Sequence, residues 1–71
     1  DEAKEQLILE TALRLITRTG LAGLKMSDLA KEAGVATGTL YVYFDDKPAL
    51  IQALYAYLLR KSLSDLSAGI N

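Results

Sequence analysis

Apolar residues recur at helical spacing along the first part of the chain. They lie at positions i, i+3, i+4 and i+7, the pattern of an amphipathic helix with one buried face. The residues at this spacing are Leu9, Ala12, Leu13 and Ile16. Gly20 follows them, and glycine readily takes the left-handed conformation in which many helices end. We therefore predict a first helix over residues 1–19.

Two shorter helices, separated by a glycine at position 34, are predicted next. The first covers residues 26–33, and the second covers about residues 37–44. In the second, Leu40 and Phe44 are one turn apart and share an inward face. Two short helices joined by a tight turn that contains glycine are typical of a helix-turn-helix, whose second helix enters the major groove of DNA.

A longer fourth helix is predicted from Lys47. Asp46 is its predicted N-cap, and Ser27 is the best N-cap that the sequence offers for the second helix. The main stripe of the fourth helix consists of Leu50, Leu54, Tyr57, Leu58 and Lys61, after which periodicity weakens. The pattern therefore predicts an all-α fold, a three-helix helix-turn-helix bundle that leads into a longer fourth helix.

The composition limits the chemistry that the chain can perform. Its 71 residues make one small domain, and it contains no cysteine and no histidine. This removes thiolate chemistry, the common zinc ligands and the usual general base at neutral pH. We therefore predict that the protein is not an enzyme and has no catalytic residues, no metal site and no cofactor. We find no apolar stretch long enough to span a membrane and no signal-peptide pattern, so no membrane partner is expected.

The charge balance argues against simple nucleic-acid binding, which usually leaves a basic footprint. The chain has a net charge of −1. Within residues 25–47 the charged residues are Lys25, Lys31, Lys47, Asp28, Glu32, Asp45 and Asp46, so acids outnumber bases there. Any DNA-binding face must therefore arise from the placement of a few cations, with the acids turned away.

One run of residues is more specific than a general helix-turn-helix pattern. It comprises Ala-Gly-Val at 33–35, Gly-Thr-Leu-Tyr at 38–41, Phe44 and Lys47. This order, with these spacings, resembles the DNA-binding headpiece of the TetR (AcrR-like) transcriptional regulators. The resemblance covers residues 8–54 and implies a homeodomain-like fold.

The resemblance also implies partners and a cellular setting. It suggests a bacterial, cytoplasmic homodimer, more often a repressor than an activator, that binds a palindromic operator in double-stranded DNA. A larger C-terminal domain would dimerise and bind a small-molecule effector, which this chain itself would not bind. By this resemblance, residues 1–61 are the helix-turn-helix domain, and residues 62–71 begin the connection to an absent C-terminal domain.

Several residues match family positions that touch the phosphate backbone. Tyr41, Thr39 and Lys47 are predicted phosphate contacts, although Thr39 can also meet a base edge. Tyr43 stands where the family often has histidine, and phosphate contact and surface packing are equal alternatives for it. The N–H groups at the start of the fourth helix are expected to add to the same anion site.

Base contacts are expected from the first turn of the recognition helix. Thr37 and Gly38 should lie deepest in the groove. Val42 either contacts a thymine methyl group or fills space between helices. Lys25 and Ser27 are expected to assist from the second helix.

The sequence also departs from the family pattern. Ala36 stands where the family usually has a serine cap, so Thr37 is predicted to cap the third helix instead. The third helix has no arginine, lysine, asparagine or glutamine for a bidentate base contact. Specificity would then depend on small side chains, methyl contacts and DNA shape.

Two functions follow from these observations. The first is sequence-specific DNA binding by a TetR-like regulator, most simply a repressor released by an effector. The second is a TetR-like scaffold that has lost DNA binding and acts as a protein-interaction module, as the acidic balance allows. Tyr41, Thr39 and Lys47 favour the first, because protein docking does not need phosphate partners.

Overall fold

Four helices make up the regular structure of the described part of the chain. The computed structural model describes residues 2–70, and side chains as far as residue 64, so Asp1, Asn71 and the side chains of 65–70 lie outside it. The helices are α1 (Glu2–Thr19), α2 (Met26–Ala33), α3 (Thr37–Tyr43) and α4 (Lys47–Ile70). The predicted all-α fold is confirmed. α3 ends one residue earlier than predicted, because the backbone of Phe44 is extended (φ −137°, ψ 113°).

The core lies where all four helices meet. Ile8, Leu29, Leu40 and Leu50, one from each helix, are completely buried. The other buried apolar residues are Leu9, Ala12, Leu15, Leu24, Met26, Ala30, Phe44 and Leu54. Removal of this apolar surface from water is the main source of stability, and it sets the position of α3 against the rest of the bundle.

The predicted stripe of α4 is only half correct. Leu50 and Leu54 are buried, but Leu58 is 44% exposed and residues 58–64 are all exposed. Periodicity assigns residues to one face of a helix, but only the part of α4 that lies beside α1–α3 has anything to pack against. Residues 58–64 therefore present apolar side chains, among them Leu59 and Leu63, to solvent.

The turn between α2 and α3 is a Schellman motif. Gly34 has φ +76°, its N–H donates to the Lys31 carbonyl at 3.2 Å, and the Val35 N–H donates to the Ala30 carbonyl at 2.9 Å. Val35 packs against the core, as predicted. Because both amides are satisfied within the turn, the angle between α2 and α3 is set locally.

Two of the three predicted N-caps are wrong. Ser27 lies inside α2, whose N-cap is Lys25 in extended backbone (φ −121°, ψ 141°), without a side-chain hydrogen bond. An extended residue sends its two neighbours to the same side, and Leu24 and Met26 are both buried there. This anchoring makes Lys25, and not Ser27, the N-cap of α2.

The other two caps can be compared directly. Thr37 is the first residue of α3 rather than its cap, because Ala36 has the extended conformation (φ −68°, ψ 149°) that a cap requires. Asp46 does cap α4, since its Oδ1 accepts the Ala49 N–H at 2.9 Å.

Candidate nucleic-acid interface

α3 turns one face to the core and the opposite face to solvent. Successive residues of an α-helix are about 100° apart, so Leu40 and Val42 point in nearly opposite directions. Leu40 is 0% exposed, whereas Val42 is 80% exposed. Phe44, just after the helix, is buried as well. These two buried side chains hold α3 by its inner face and direct Val42 away from the protein.

Gly38 lies on the same outer face, one turn before Val42. Its φ is not positive, in contrast to Gly20 and Gly34. A Cβ placed on Gly38 would have no heavy atom of another part of the chain within 4 Å. Thr37 beside it is exposed. The first turn of α3 therefore offers an open surface with little side-chain bulk.

The two tyrosines of α3 have different surroundings. Tyr41 is 43% exposed. Tyr43 is half-buried and packs against the core, and its ring centroid is 6.5 Å from that of Phe44. Thr39 is also half-buried. Tyr43 thus has the packing role that was one of its two alternatives, and its phosphate contact stays a prediction.

The remaining predicted site residues lie at the starts of the neighbouring helices. Lys25 and Ser27 are exposed at the N-terminus of α2, and Lys47 is the half-buried first residue of α4. The expectation that α4 offers its amides to a phosphate is weakened. Pro48 has no N–H, and the Ala49 N–H is already taken by Asp46.

Two of the acidic residues in this segment already have partners within the chain. The Glu32 Oε1 accepts a hydrogen bond from Arg18 Nη2 at 3.0 Å, in an exposed ion pair between α1 and α2. Asp46 is occupied at the start of α4. The stability that an exposed pair adds is small, but the pairing offsets the charge of Glu32. Asp28 and Asp45 are exposed, and the expectation that the acids face away from DNA stays a prediction.

A polar cluster that the sequence analysis did not predict lies between α1 and α4. The Tyr57 hydroxyl donates to Glu10 Oε2 at 3.0 Å, and Gln6 Nε2 donates to the same oxygen at 3.2 Å. The hydrogen bonds from Gln6 and then Tyr57 lower the pKa of Glu10, and the bond to Glu10 raises the pKa of Tyr57. Helical periodicity placed Tyr57 on a face but contained no signal for its partner 47 residues away.

The comparison with known families covers α1 from Ile8 onward, all of α2 and α3, and α4 as far as Leu54. The model described as "Bacterial regulatory proteins, tetR family" matches residues 8–54. The chain belongs to the TetR family. The family resemblance carried by residues 33–47 is therefore confirmed.

Curated TetR-type relatives are transcriptional regulators. The chain is 38% identical over 68 residues to the uncharacterized HTH-type transcriptional regulator YvdT of Bacillus subtilis, covering 96% of this chain and 35% of the relative. It is 37% identical over 67 residues to the regulator EthR of Mycolicibacterium smegmatis, covering 94% and 31%. For the regulator BetI of Paraburkholderia phytofirmans, identity is 34% over 59 residues, covering 83% and 30%.

The chain is thus the DNA-binding domain of a TetR-family transcriptional regulator and not an enzyme. It spans about a third of the length of these three relatives. Within the described residues, no group of three or more acidic side chains could hold a metal ion. Among residues 2–70, no helix combines the length and the apolar content needed to cross a membrane.

Proposed function

We propose that this domain is one of two DNA-reading heads of a homodimeric TetR-family repressor that binds a palindromic operator in the bacterial cytoplasm. The observation that carries the proposal is the outer face of α3. Val42 is 80% exposed there while Leu40 is completely buried behind it. A helix held in this way can enter a major groove without rearrangement of the bundle.

Side chains around this face supply the proposed phosphate contacts. All of them carry a hydroxyl or an ammonium group that can donate a hydrogen bond to a phosphate oxygen. They are Thr39, Tyr41, Tyr43 and Lys47, whereas Lys25 and Ser27 are proposed to assist base recognition from α2. Thr37, Gly38 and Val42 lie between them and are proposed to face the base edges. The engagement of Glu32 and Asp46 within the protein supports this arrangement, because it offsets negative charge close to the DNA.

The C-terminal domain of the regulator is proposed to pack against the exposed face of α4. Tyr55, Leu59 and Leu63 lie one turn apart and are 64%, 65% and 65% exposed. Relatives are about three times as long as this chain, and their additional length supports a C-terminal domain as the occupant. Leu66 continues the spacing, but its side chain lies outside the described residues. Through this contact, a small-molecule effector bound by the C-terminal domain would displace α4 and release the operator.

Titration against DNA tests the proposed function. The complete regulator and this domain are each titrated with the intergenic duplex beside its own gene, and with a shuffled duplex of equal length, at two salt concentrations. We expect tight, salt-dependent and sequence-dependent binding by the complete regulator, because phosphate contacts release counterions. Weaker binding by the isolated domain is expected, since one head engages only one half-site.

The same titration addresses the alternative function. The complete regulator is purified without bound small molecules for this test. If it then binds the intergenic duplex no more tightly than the shuffled duplex at either salt concentration, the scaffold that has lost DNA binding becomes the better explanation. Release of the duplex by an added small molecule, together with higher reporter expression in a deletion strain, would support an effector-released repressor. Lower expression in the deletion strain would instead identify an activator.

A single thiol tests the docking face. The chain has no native cysteine, so Leu59→Cys introduces a unique labelling site in this domain. We expect rapid labelling in the isolated domain and slow labelling in a complete regulator whose other cysteines have been replaced. Arg60→Cys, at an exposed position next in the chain, is the control for general accessibility of α4. Equal rates for Leu59→Cys in both proteins would contradict the proposed docking.

A further inference from the structure

We infer that Gly38 and Val42 together recognise the C5 methyl group of a thymine in the major groove. The inference rests on the proposed function and makes it more specific, because it names the base that α3 reads. Three observations on α3 support it. Val42 is exposed, neither the backbone conformation nor the packing requires a glycine at position 38, and the helix has none of the charged or amide side chains that read guanine, adenine or cytosine.

Val42 contributes little to the fold of the domain. It is 80% exposed, the largest value among the exposed large apolar side chains of the described residues. This exposure removes the alternative that Val42 fills space between helices. Valine is also a weaker helix former than straight-chain residues, because its branched Cβ crowds the preceding turn. A contact outside the chain would account for an exposed valine in this helix of seven residues.

Gly38 is equally unexplained within the chain. A glycine inside a helix is less favourable than alanine, since it loses more conformational freedom on folding. Its φ is not positive, and a Cβ at this position would meet no other part of the chain within 4 Å. Neither backbone conformation nor packing requires glycine here. A molecule that approaches the backbone of α3 closely would account for a glycine at this position.

The two positions form one surface. They are four residues apart on the same face, and side chains of a helix lean toward its N-terminus. The isopropyl group of Val42 therefore lies over the turn that contains Gly38. The result is a shallow notch with a wall of methyl groups and a floor of backbone. A base edge can reach this floor without meeting a side chain.

The chemistry of the notch selects thymine. In the major groove, guanine is read by arginine or lysine, adenine by asparagine or glutamine, and cytosine by acidic side chains. Residues 37–43 contain none of these. Thymine is the base that presents a methyl group in the groove, and an aliphatic side chain complements it. Methyl recognition is thus the direct base readout that this helix can offer at positions 38 and 42.

Replacement of thymine by uracil tests the inference, because it deletes the methyl group and leaves the base pair intact. A duplex is first selected from a random library by the complete regulator. Each thymine of one half-site is then replaced singly by deoxyuridine, and the dissociation constant is measured. We expect at least one replacement to weaken binding about fourfold, the value for burial of one methyl group. For the Val42→Ala variant, the same replacement of thymine by uracil should leave the dissociation constant unchanged.

Control variants separate this contact from general weakening. Tyr41→Phe should bind all duplexes less tightly but keep the fourfold response to uracil, because its proposed contact is a phosphate. Gly38→Ala should weaken binding to the selected duplex while the melting temperature of the protein does not fall. Val42→Thr keeps the shape of the side chain and should bind with a reduced response to uracil.

The outcomes distinguish the inference from the proposed function. Sequence-specific binding without any response to uracil, or an unchanged response in Val42→Ala, would overturn the inference and leave the proposed function intact. A Gly38→Ala variant that binds as tightly as the wild type would overturn the role of the notch. If the regulator selects no duplex at all, both the proposed function and the inference fail.

Discussion

The Tyr57 hydroxyl donates a hydrogen bond to Glu10 Oε2 at 3.0 Å, and so joins α4 to α1 across 47 residues of sequence. Gln6 Nε2 donates to the same oxygen at 3.2 Å, and the Lys61 Nζ lies 6.0 Å from the centre of the Tyr57 ring. This cluster lies beyond Leu54, the last buried residue of α4 among the side chains that the structure describes. It therefore stabilises the direction in which α4 leaves the bundle.

We predict that Tyr57→Phe lowers the melting temperature of the domain at neutral pH, because Glu10 loses a charge-assisted hydrogen bond. The native pKa of Glu10 lies below its usual 4.5, owing first to Gln6 and then to Tyr57. The stability that the ionised Glu10 carboxylate adds to the domain is thus present above about pH 4.5 and is lost as pH falls through the native pKa. The pKa of Tyr57 is raised above its usual 10.0, so its contribution is lost as pH rises through that native value.

Circular dichroism melts at several pH values check this prediction. The difference between wild type and Tyr57→Phe should be largest near neutral pH and should shrink in acid. Tyr55→Phe is the matched control, since Tyr55 is on the same helix and is 64% exposed. An equal loss in both variants, or a difference that does not depend on pH, would show that the bond to Glu10 is not responsible.

Replacement of the two glycines of the helix-turn-helix by alanine should change the free energy of unfolding in opposite directions. Gly34 has φ +76°, where an L-residue is less favourable by about 1–2 kcal/mol, so Gly34→Ala should destabilise the domain by about that amount. Gly38 has no such requirement, and Gly38→Ala should increase the free energy of unfolding by about 0.5–1 kcal/mol. Urea unfolding measures both. Destabilisation by Gly38→Ala would mean that the fold itself requires this glycine.

Leucines of the same size should differ strongly according to burial. Leu40 is 0% exposed and Leu59 is 65% exposed. Leu40→Ala should lower the free energy of unfolding by about 2–5 kcal/mol, through lost burial and a cavity. Leu59→Ala, its matched control, should change the stability of this domain by less than about 0.5 kcal/mol. A large effect at Leu59 in the isolated domain would indicate that the end of α4 packs against another surface, such as a second copy.

Removal of the proposed phosphate contact at Lys47 should change the salt dependence of DNA binding. For Lys47→Gln in the complete regulator, the slope of the logarithm of the binding constant against the logarithm of the salt concentration should become less negative by about 1 for each bound head. Arg60→Gln removes an equal charge from the same helix, 13 residues further along and roughly 20 Å away, and should leave the slope unchanged. An unchanged slope for Lys47→Gln would remove this residue from the phosphate contacts.

Local patterns predicted the bounds of the helices closely, but two of the three predicted N-caps were wrong. The bounds of α2 agree with prediction, since the period of apolar residues and Gly34 are signals carried by neighbouring residues. Ser27 and Thr37 were wrong as caps because the extended residue before each helix is set by its neighbours. At α2 those neighbours are Leu24 and Met26, both anchored in the core. The identity of the capping residue at α2 thus depended on long-range packing.

The sequence by itself determined the all-α fold, the helix-turn-helix and the family, because these depend on periodicity, glycine positions and residue spacing along the chain. Only the tertiary structure decided that Val42 faces solvent, that Gly38 has open space beside it and that Tyr57 meets Glu10. Exposure and contacts between distant residues depend on how helices pack against one another. Spacing within a single helix contains no information about what lies opposite each face.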